Sequence, residues 1–310
     1  MVRARYIDCT GLMGDLMARS PGSDWIDVFH GDPDESQLAA MLADAQIILN
    51  GHTMLDAARL AAAPRLRSIV FLGSGPASYI DIAAAARANV AVHRVVNYGD
   101  RTIAEHAFAL LLAAARDVAR MDREVRAGVW FPAEGVELVG KRLGVLGLGG
   151  VGREMIRIAA GFGMEVVAWS RSAVDPDLPC RTASLEETLA ASHALSLHLG
   201  LNDETRGLLG AARLARIRPG AILVNTARGA LIDEGALAAA LRSGRIRHAA
   251  LDVFDVEPLP AGHPLAGLPN VTLTSHAAFK TPEASERLLA GALARPAPGR
   301  GRVGRGGPAA

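Results

Sequence analysis

At 310 residues, 50% of them apolar and 21% charged, the chain has the make-up of a globular protein long enough for two domains of ordinary size. A net charge of +1 offers no broad attraction to nucleic acid or to a membrane, so neither is an expected partner. Two lone thiols, Cys9 and Cys180, make neither a disulfide framework nor a metal site. With an N-terminus (MVRARYIDCTG) that lacks an apolar signal core, they point to the cytoplasm.

Along the chain, short apolar, β-prone runs alternate with alanine-rich helical stretches. Strands are predicted at residues 4–7, 47–49, 68–72 and 90–92, with helices at 35–43 and 82–88. The pattern pauses at NYGDR, residues 97–101. A long helix over 102–128 follows, its first half (IAEHAFALLLAAA) apolar enough to be largely buried. A second series then places strands at 143–146, 166–169, 194–199, 221–225, 249–253 and 271–274. Its helices are expected at 151–161, 185–190 and 234–243. Continuous apolar strands separated by helices predict parallel sheets covered on both faces. The chain is therefore expected to be α/β, with two doubly wound domains over 1–99 and 100–280. From Arg295 it reads RPAPGRGRVGRGGPAA, which has no apolar periodicity. Residues 295–310 are expected to be a disordered, incidental tail rather than a nucleic-acid-binding arm.

Gly147-Leu148-Gly149-Gly150-Val151-Gly152 matches G-x-G-x-x-G. Alone the pattern is weak in a chain with 33 glycines, but here a strand (RLGVL) precedes it and an amphipathic helix follows. The first glycine permits the tight turn. The second lets backbone approach a pyrophosphate, and the third lets helix pack on strand. The helix N-terminus offers free N–H groups to the phosphates. An Asp or Glu about twenty residues on would take the ribose 2′-hydroxyl of NAD. Here the next strand ends Trp169-Ser170-Arg171-Ser172, with no carboxylate. Serine and arginine can hold a 2′-phosphate, so NADP is the expected preference, with NAD second.

Three more strands end in chemistry on the same edge. Arg228 follows AILVN in NTARG, and a guanidinium there can grip a carboxylate and polarise the carbonyl beside it. Asp252 ends the next strand, with Glu257 a few residues beyond it in DVFDVEP. His276 follows the last strand in TSHAAF. An imidazolium can give a proton to a carbonyl oxygen during hydride transfer, and a neighbouring carboxylate favours that charged form. No cluster has metal-ligand spacing, so no metal is expected. His106 and His198 are expected to be packing residues, and His52, His93 and His263 show no constellation.

At these residues the chain resembles the D-isomer-specific 2-hydroxyacid dehydrogenases. The matching segments are GKRLGVLGLGGVG, NTARGALIDEGAL, ALDVFDVEP and PNVTLTSHAA, with TIAEHAFALLLAAAR resembling that family's interdomain helix. The resemblance covers about residues 45 to 290. It implies a Rossmann NAD(P)-binding domain beside a flavodoxin-like substrate domain, to which a helix over 281–294 returns. It implies Arg228, Glu257 and His276 as the catalytic set. Backbone amides near Ser74 and Gly75 would join Arg228 in holding the substrate carboxylate. Around the cofactor it places Gly147, Gly149, Gly150, Val151, Gly152, Ser170, Arg171, Ser172, Leu199, Thr226, Ala227, Asp252, His276 and Ala278. It also implies a homodimer joined through the cofactor domain. SGPASYID departs from the family's usual stretch, so substrate specificity does not carry over. The expected activity is reduction of a small 2-oxo acid such as glyoxylate or hydroxypyruvate, with phosphoglycerate dehydrogenase the close alternative. A dinucleotide-sensing, corepressor-like protein is the competing class.

Overall fold

The computed structural model describes residues 3–172 and 174–294. The segment expected to be a disordered tail, 295–310, lies outside them. The chain divides into two compact units. One is Met1–Tyr98, resumed from Thr281, and the other is Gly99–Lys280.

The first unit runs β1 (Ala4–Cys9), α1 (Gly11–Arg19), β2 (Ile26–His30), α2 (Glu35–Asp44), β3 (Ile47–Asn50), α3 (Ala57–Ala61), β4 (Ser68–Phe71), α4 (Ile82–Arg87) and β5 (Ala91–Arg94). Its strands are all parallel, in the order β2-β1-β3-β4-β5, the flavodoxin-like arrangement. Side-chain alternation sends neighbours to opposite faces. Ile7, Ile48 and Ile69 pack with α2 and α4, whereas Tyr6, Leu49 and Val70 pack with α1. The second face is completed from far along the chain by Leu288, Leu289 and Ala292.

The second unit runs α5 (Asp100–Ala115), α6 (Val118–Arg126), β6 (Arg142–Leu146), α7 (Gly150–Gly161), β7 (Glu165–Trp169), β8 (Arg181–Thr182), α8 (Leu185–Ala191), β9 (Ala194–Leu197), α9 (Ala211–Leu214), β10 (Ala221–Asn225), α10 (Glu234–Arg242), β11 (Ile246–Leu251) and β12 (Val271–Leu273). The last helix, α11 (Pro282–Leu293), belongs to the first unit and lies against α1. The second sheet is parallel throughout, in the order β12-β11-β10-β9-β6-β7-β8. Direction of winding reverses between β6 and β9, the doubly wound dinucleotide-binding order. One face buries Leu143, Val145 and Val224 under α5 and α7. The other buries Leu197, Leu223 and Leu251 under α8 and α10.

One expectation is corrected. The single helix over 102–128 is two helices, broken at Asp117, which takes a left-handed φ of 53°. The Asp117 carboxylate pairs with Nδ1 of buried His248 on β11, 3.1 Å away. That partner lies 131 positions downstream, where local periodicity cannot reveal it.

Candidate active site

The glycine loop leaves β6 at its carboxyl end. Gly147 has φ +99°, and a Cβ there would stand 2.5 Å from the His198 carbonyl oxygen, so no other residue fits without strain. A Cβ on Gly152 would collide with the Gly147 carbonyl oxygen, which is the close helix–strand packing expected of the third glycine. Around Gly149 the space is open, with nothing within 4 Å of a Cβ position. Gly149 caps α7, whose own first turn carries no acidic residue, although the Asp100 carboxylate of α5 stands against Gly150; the N–H groups and positive dipole end of the helix favour an anion. His198, expected to be a packing residue, bonds through Nε2 with Ser196 Oγ at 2.9 Å, and burial pushes its pKa down to about 4. It is a neutral support for the loop.

Gly147 N–H donates to the Trp169 carbonyl at 2.9 Å, which brings the end of β7 level with the loop. Beyond it, Ser172 N–H donates to Ser170 Oγ at 3.1 Å, and the Arg171 guanidinium forms an ion pair with Glu204. Thr226 follows β10. Its hydroxyl is buried and, among the described residues, has no hydrogen-bond partner. The open space at Gly149 on a helix N-terminus and an orphaned hydroxyl on the same sheet edge suit a dinucleotide.

Arg228 is presented by a turn that Asn225 closes. The buried Asn225 side chain donates to the Arg228 carbonyl at 2.8 Å and accepts from Ala227 N–H at 3.0 Å. Arg228 Nη1 donates back to the Ala227 carbonyl at 2.7 Å. Gly229 then touches the next loop, since a Cβ on it would collide with the backbone of Phe254 and Asp255. That loop carries Glu257, which accepts from Phe254 N–H at 2.9 Å through Oε1. It meets His276 Nδ1 at 2.6 Å through Oε2. Burial raises the Glu257 pKa, but the bonds from His276 and Phe254 and the charges of His276 and Arg228 outweigh it. The carboxyl is held below the usual range. Arg228, Glu257 and His276 thus meet on one edge of the second sheet.

His276 itself has φ +50°, a strained conformation for a residue with a side chain. Asp252 holds it there. The Asp252 carbonyl accepts from His276 N–H at 2.8 Å. Its carboxylate accepts from Thr274 Oγ1 at 2.6 Å, Ala277 N–H at 2.9 Å and Ala278 N–H at 3.0 Å. His106, expected to be a packing residue, instead reaches this cluster, with Nε2 3.2 Å from Thr274 Oγ1 and 3.5 Å from Asp252 Oδ1. Asp252 is wholly buried. Burial pushes its pKa up, yet these donors more than reverse that and leave it low. The carboxylate counted among cofactor neighbours therefore points its bonds at the His276 turn. His263, without a constellation in the sequence, lies 3.2 Å from Glu234, whose other oxygen accepts from Asp255 N–H at 3.1 Å. Asn225 and Glu234 were not expected at the site, and His106 was expected only to pack; of the three, only Asn225 carried a local signal, an Asn at a strand end poised for a side-chain-to-backbone turn.

Leu199 and Ala227 lie half-buried on the second unit's face with α10, and Ala278 is buried beside Asp252. Val151, in the first turn of α7, packs on the opposite core. Ser74 and Gly75 belong to the first unit, on the loop after β4. Ser74 is exposed, and its carbonyl accepts from Arg94 at 3.3 Å.

A model of the D-isomer specific 2-hydroxyacid dehydrogenase NAD binding domain matches residues 108–278. A glyoxylate reductase of Aeropyrum pernix is 42% identical over 246 residues, covering 76% of this chain and 73% of that protein. A D-3-phosphoglycerate dehydrogenase of Mycobacterium leprae is 39% identical over 274 residues. That match covers 85% of this chain, which spans 50% of that protein. Among solved structures, an acyclic imino acid reductase, Bsp5, in complex with NADPH and D-Arg superposes with a TM-score of 0.81 at 27% identity. It covers 94% of this chain and 95% of its own.

Proposed function

Because the chain belongs to the D-isomer specific 2-hydroxyacid dehydrogenases, NAD(P)-dependent oxidoreductases, we propose that it reduces a small 2-oxo acid such as glyoxylate or hydroxypyruvate. The observation that carries this reading is the 2.6 Å contact between His276 Nδ1 and Glu257, with the Arg228 charge acting on the same carboxylate. When bound, a reduced nicotinamide supplies the hydride. Arg228 grips the substrate carboxylate and polarises its carbonyl. Glu257 occupies Nδ1 of His276, which leaves Nε2 to give the proton to the carbonyl oxygen as hydride reaches the carbon. In the oxidative direction neutral His276 takes that proton back. Glu257 and Asp252 are positioning residues: one orients the ring, the other the backbone that bears it.

NADP(H) is the preferred cofactor in this reading, supported by Ser170 and Arg171 standing where a carboxylate would favour NAD. The working form is a cytoplasmic homodimer joined through the second unit. Helix α6 has no buried residue, and Val118, Val125, Val129 and Trp130 are exposed on it and just beyond, Trp130 by 88%. Among the described residues no helix is long and apolar enough to cross a membrane.

Phosphoglycerate oxidation is the second reading, favoured by the greater share of this chain that the phosphoglycerate dehydrogenase matches. Turnover of glyoxylate, hydroxypyruvate, pyruvate and phosphohydroxypyruvate, each with NADH and NADPH, separates the two. Highest kcat/KM on phosphohydroxypyruvate would replace the first reading with the second. Cofactor binding without turnover of any of the four would make the protein a dinucleotide sensor.

A further inference from the structure

Within β6, Leu146 is level with Trp169 of β7 on one side and Leu197 of β9 on the other. The loops that follow β7 and β9 therefore flank the glycine loop from both sides. Arg171 stands on the first and Glu204 on the second, 33 positions apart in sequence, and their side chains form an ion pair. Glu204 is held by a built turn. Asn202 Oδ1 accepts from Glu204 N–H and Thr205 N–H, each at 3.0 Å. The buried Thr205 hydroxyl accepts from Asn202 N–H at 2.8 Å and donates to the Gly200 carbonyl at 2.8 Å. The carboxylate is thus presented from fixed backbone, whereas Arg171 reaches it on a long, flexible stem.

We infer that Glu204 is a specificity-determining residue that competes with the 2′-phosphate of NADP(H) for the Arg171 guanidinium. This rests on the cofactor reading above. The group that would bind a 2′-phosphate already holds an anion, so a phosphorylated ribose must displace Glu204 and then sit beside its freed charge. A ribose with a free 2′-hydroxyl carries no charge and meets neither cost. The pair narrows the preference that Ser170 and Arg171 would otherwise set, and leaves the site open to both cofactors. Both side chains are more than half exposed, so the competition is worth about five-fold in affinity, the scale of one exposed ion pair.

Calorimetric titration of the full chain with NADP⁺, NAD⁺ and adenosine 2′,5′-bisphosphate tests this without turnover. In Glu204→Gln, NADP⁺ and the bisphosphate are expected to bind about five-fold tighter, with NAD⁺ changed less than about two-fold. In Arg171→Ala both phosphorylated ligands weaken, and adding Glu204→Gln to that variant recovers clearly less than the roughly five-fold gain seen with Arg171 present, since only the repulsion is left to relieve. An unchanged NADP⁺-to-NAD⁺ ratio in Glu204→Gln, or the same gain when Arg171 is absent, overturns the inference. The wild-type ratio tests the underlying preference separately. If native protein binds NAD⁺ tighter, the NADP preference falls, while a shift on Glu204→Gln still upholds the competition.

Discussion

At the scale of single residues, the chemistry is concentrated in one imidazole whose ring and backbone are gripped independently. His276→Ala removes the proton donor and should lower kcat by about 10²–10⁴-fold, the range of general acid catalysis, with the Kd for NADP⁺ unchanged. Stopped-flow reduction and cofactor titration on the same preparation check both halves; unaltered turnover would reject the assignment. Ser170→Asp should shift the kcat/KM ratio toward NADH, because a carboxylate at the end of β7 repels a 2′-phosphate and accepts a ribose hydroxyl. Glu257 and Asp252 are both held below the ordinary carboxylate range. The unfolded chain therefore binds more protons than the fold as pH falls through about 4, so stability is full above that value and is lost below it. Urea midpoints should be level from about pH 7 to 5 and drop toward pH 3; a level curve across the acid range would contradict this. Arg228, Glu257 and His276 were legible because each stands just past an apolar strand. The part played by Asp252 was not, since its bonds run to a turn two dozen residues downstream.

At the scale of elements, most strands and helices follow from local pattern, and the exceptions have local causes. Strand β2 (IDVFH) lies at a sheet edge and is buried fully only at Ile26, so it lacks the continuous apolar run that marks its neighbours. Strand β8 is two exposed residues at the opposite edge of the second sheet. The break between α5 and α6 depends on His248, buried in β11, whose pKa is lowered mainly by that burial despite the Asp117 charge beside it. The contact between Gly229 and the Glu257 loop is likewise beyond any one element. In Gly229→Ala the new methyl meets backbone atoms that cannot rotate away, and overpacking of that kind costs about 1–3 kcal/mol. The variant should lose that much stability in urea, and kcat should fall while KM for the cofactor holds. A loss of stability with full kcat would mean the loop does not position Glu257.

At the scale of the whole molecule, two sheets of the same architecture were expected from the alternation of strands and helices, and their strand orders are the flavodoxin-like and dinucleotide-binding ones. The homodimer is an expectation that rests on the resemblance alone. Val118, Val125, Val129 and Trp130 stand exposed on and after α6, and in the proposed dimer a second copy would cover them. Light scattering of the native chain should return twice the chain mass. Trp130→Asp should reduce it to one, and a monomer before substitution would end the dimer proposal. The return of α11 has a further consequence for how the protein is made. The apolar stripe of α1 and β1 that Leu288, Leu289 and Ala292 cover leaves the ribosome long before they do, with the whole of Gly99–Lys280 still to be translated. At ordinary elongation rates the wait is on the order of ten to forty seconds. For that interval the newborn first unit keeps an oily flank open to chaperones or to a neighbouring nascent chain.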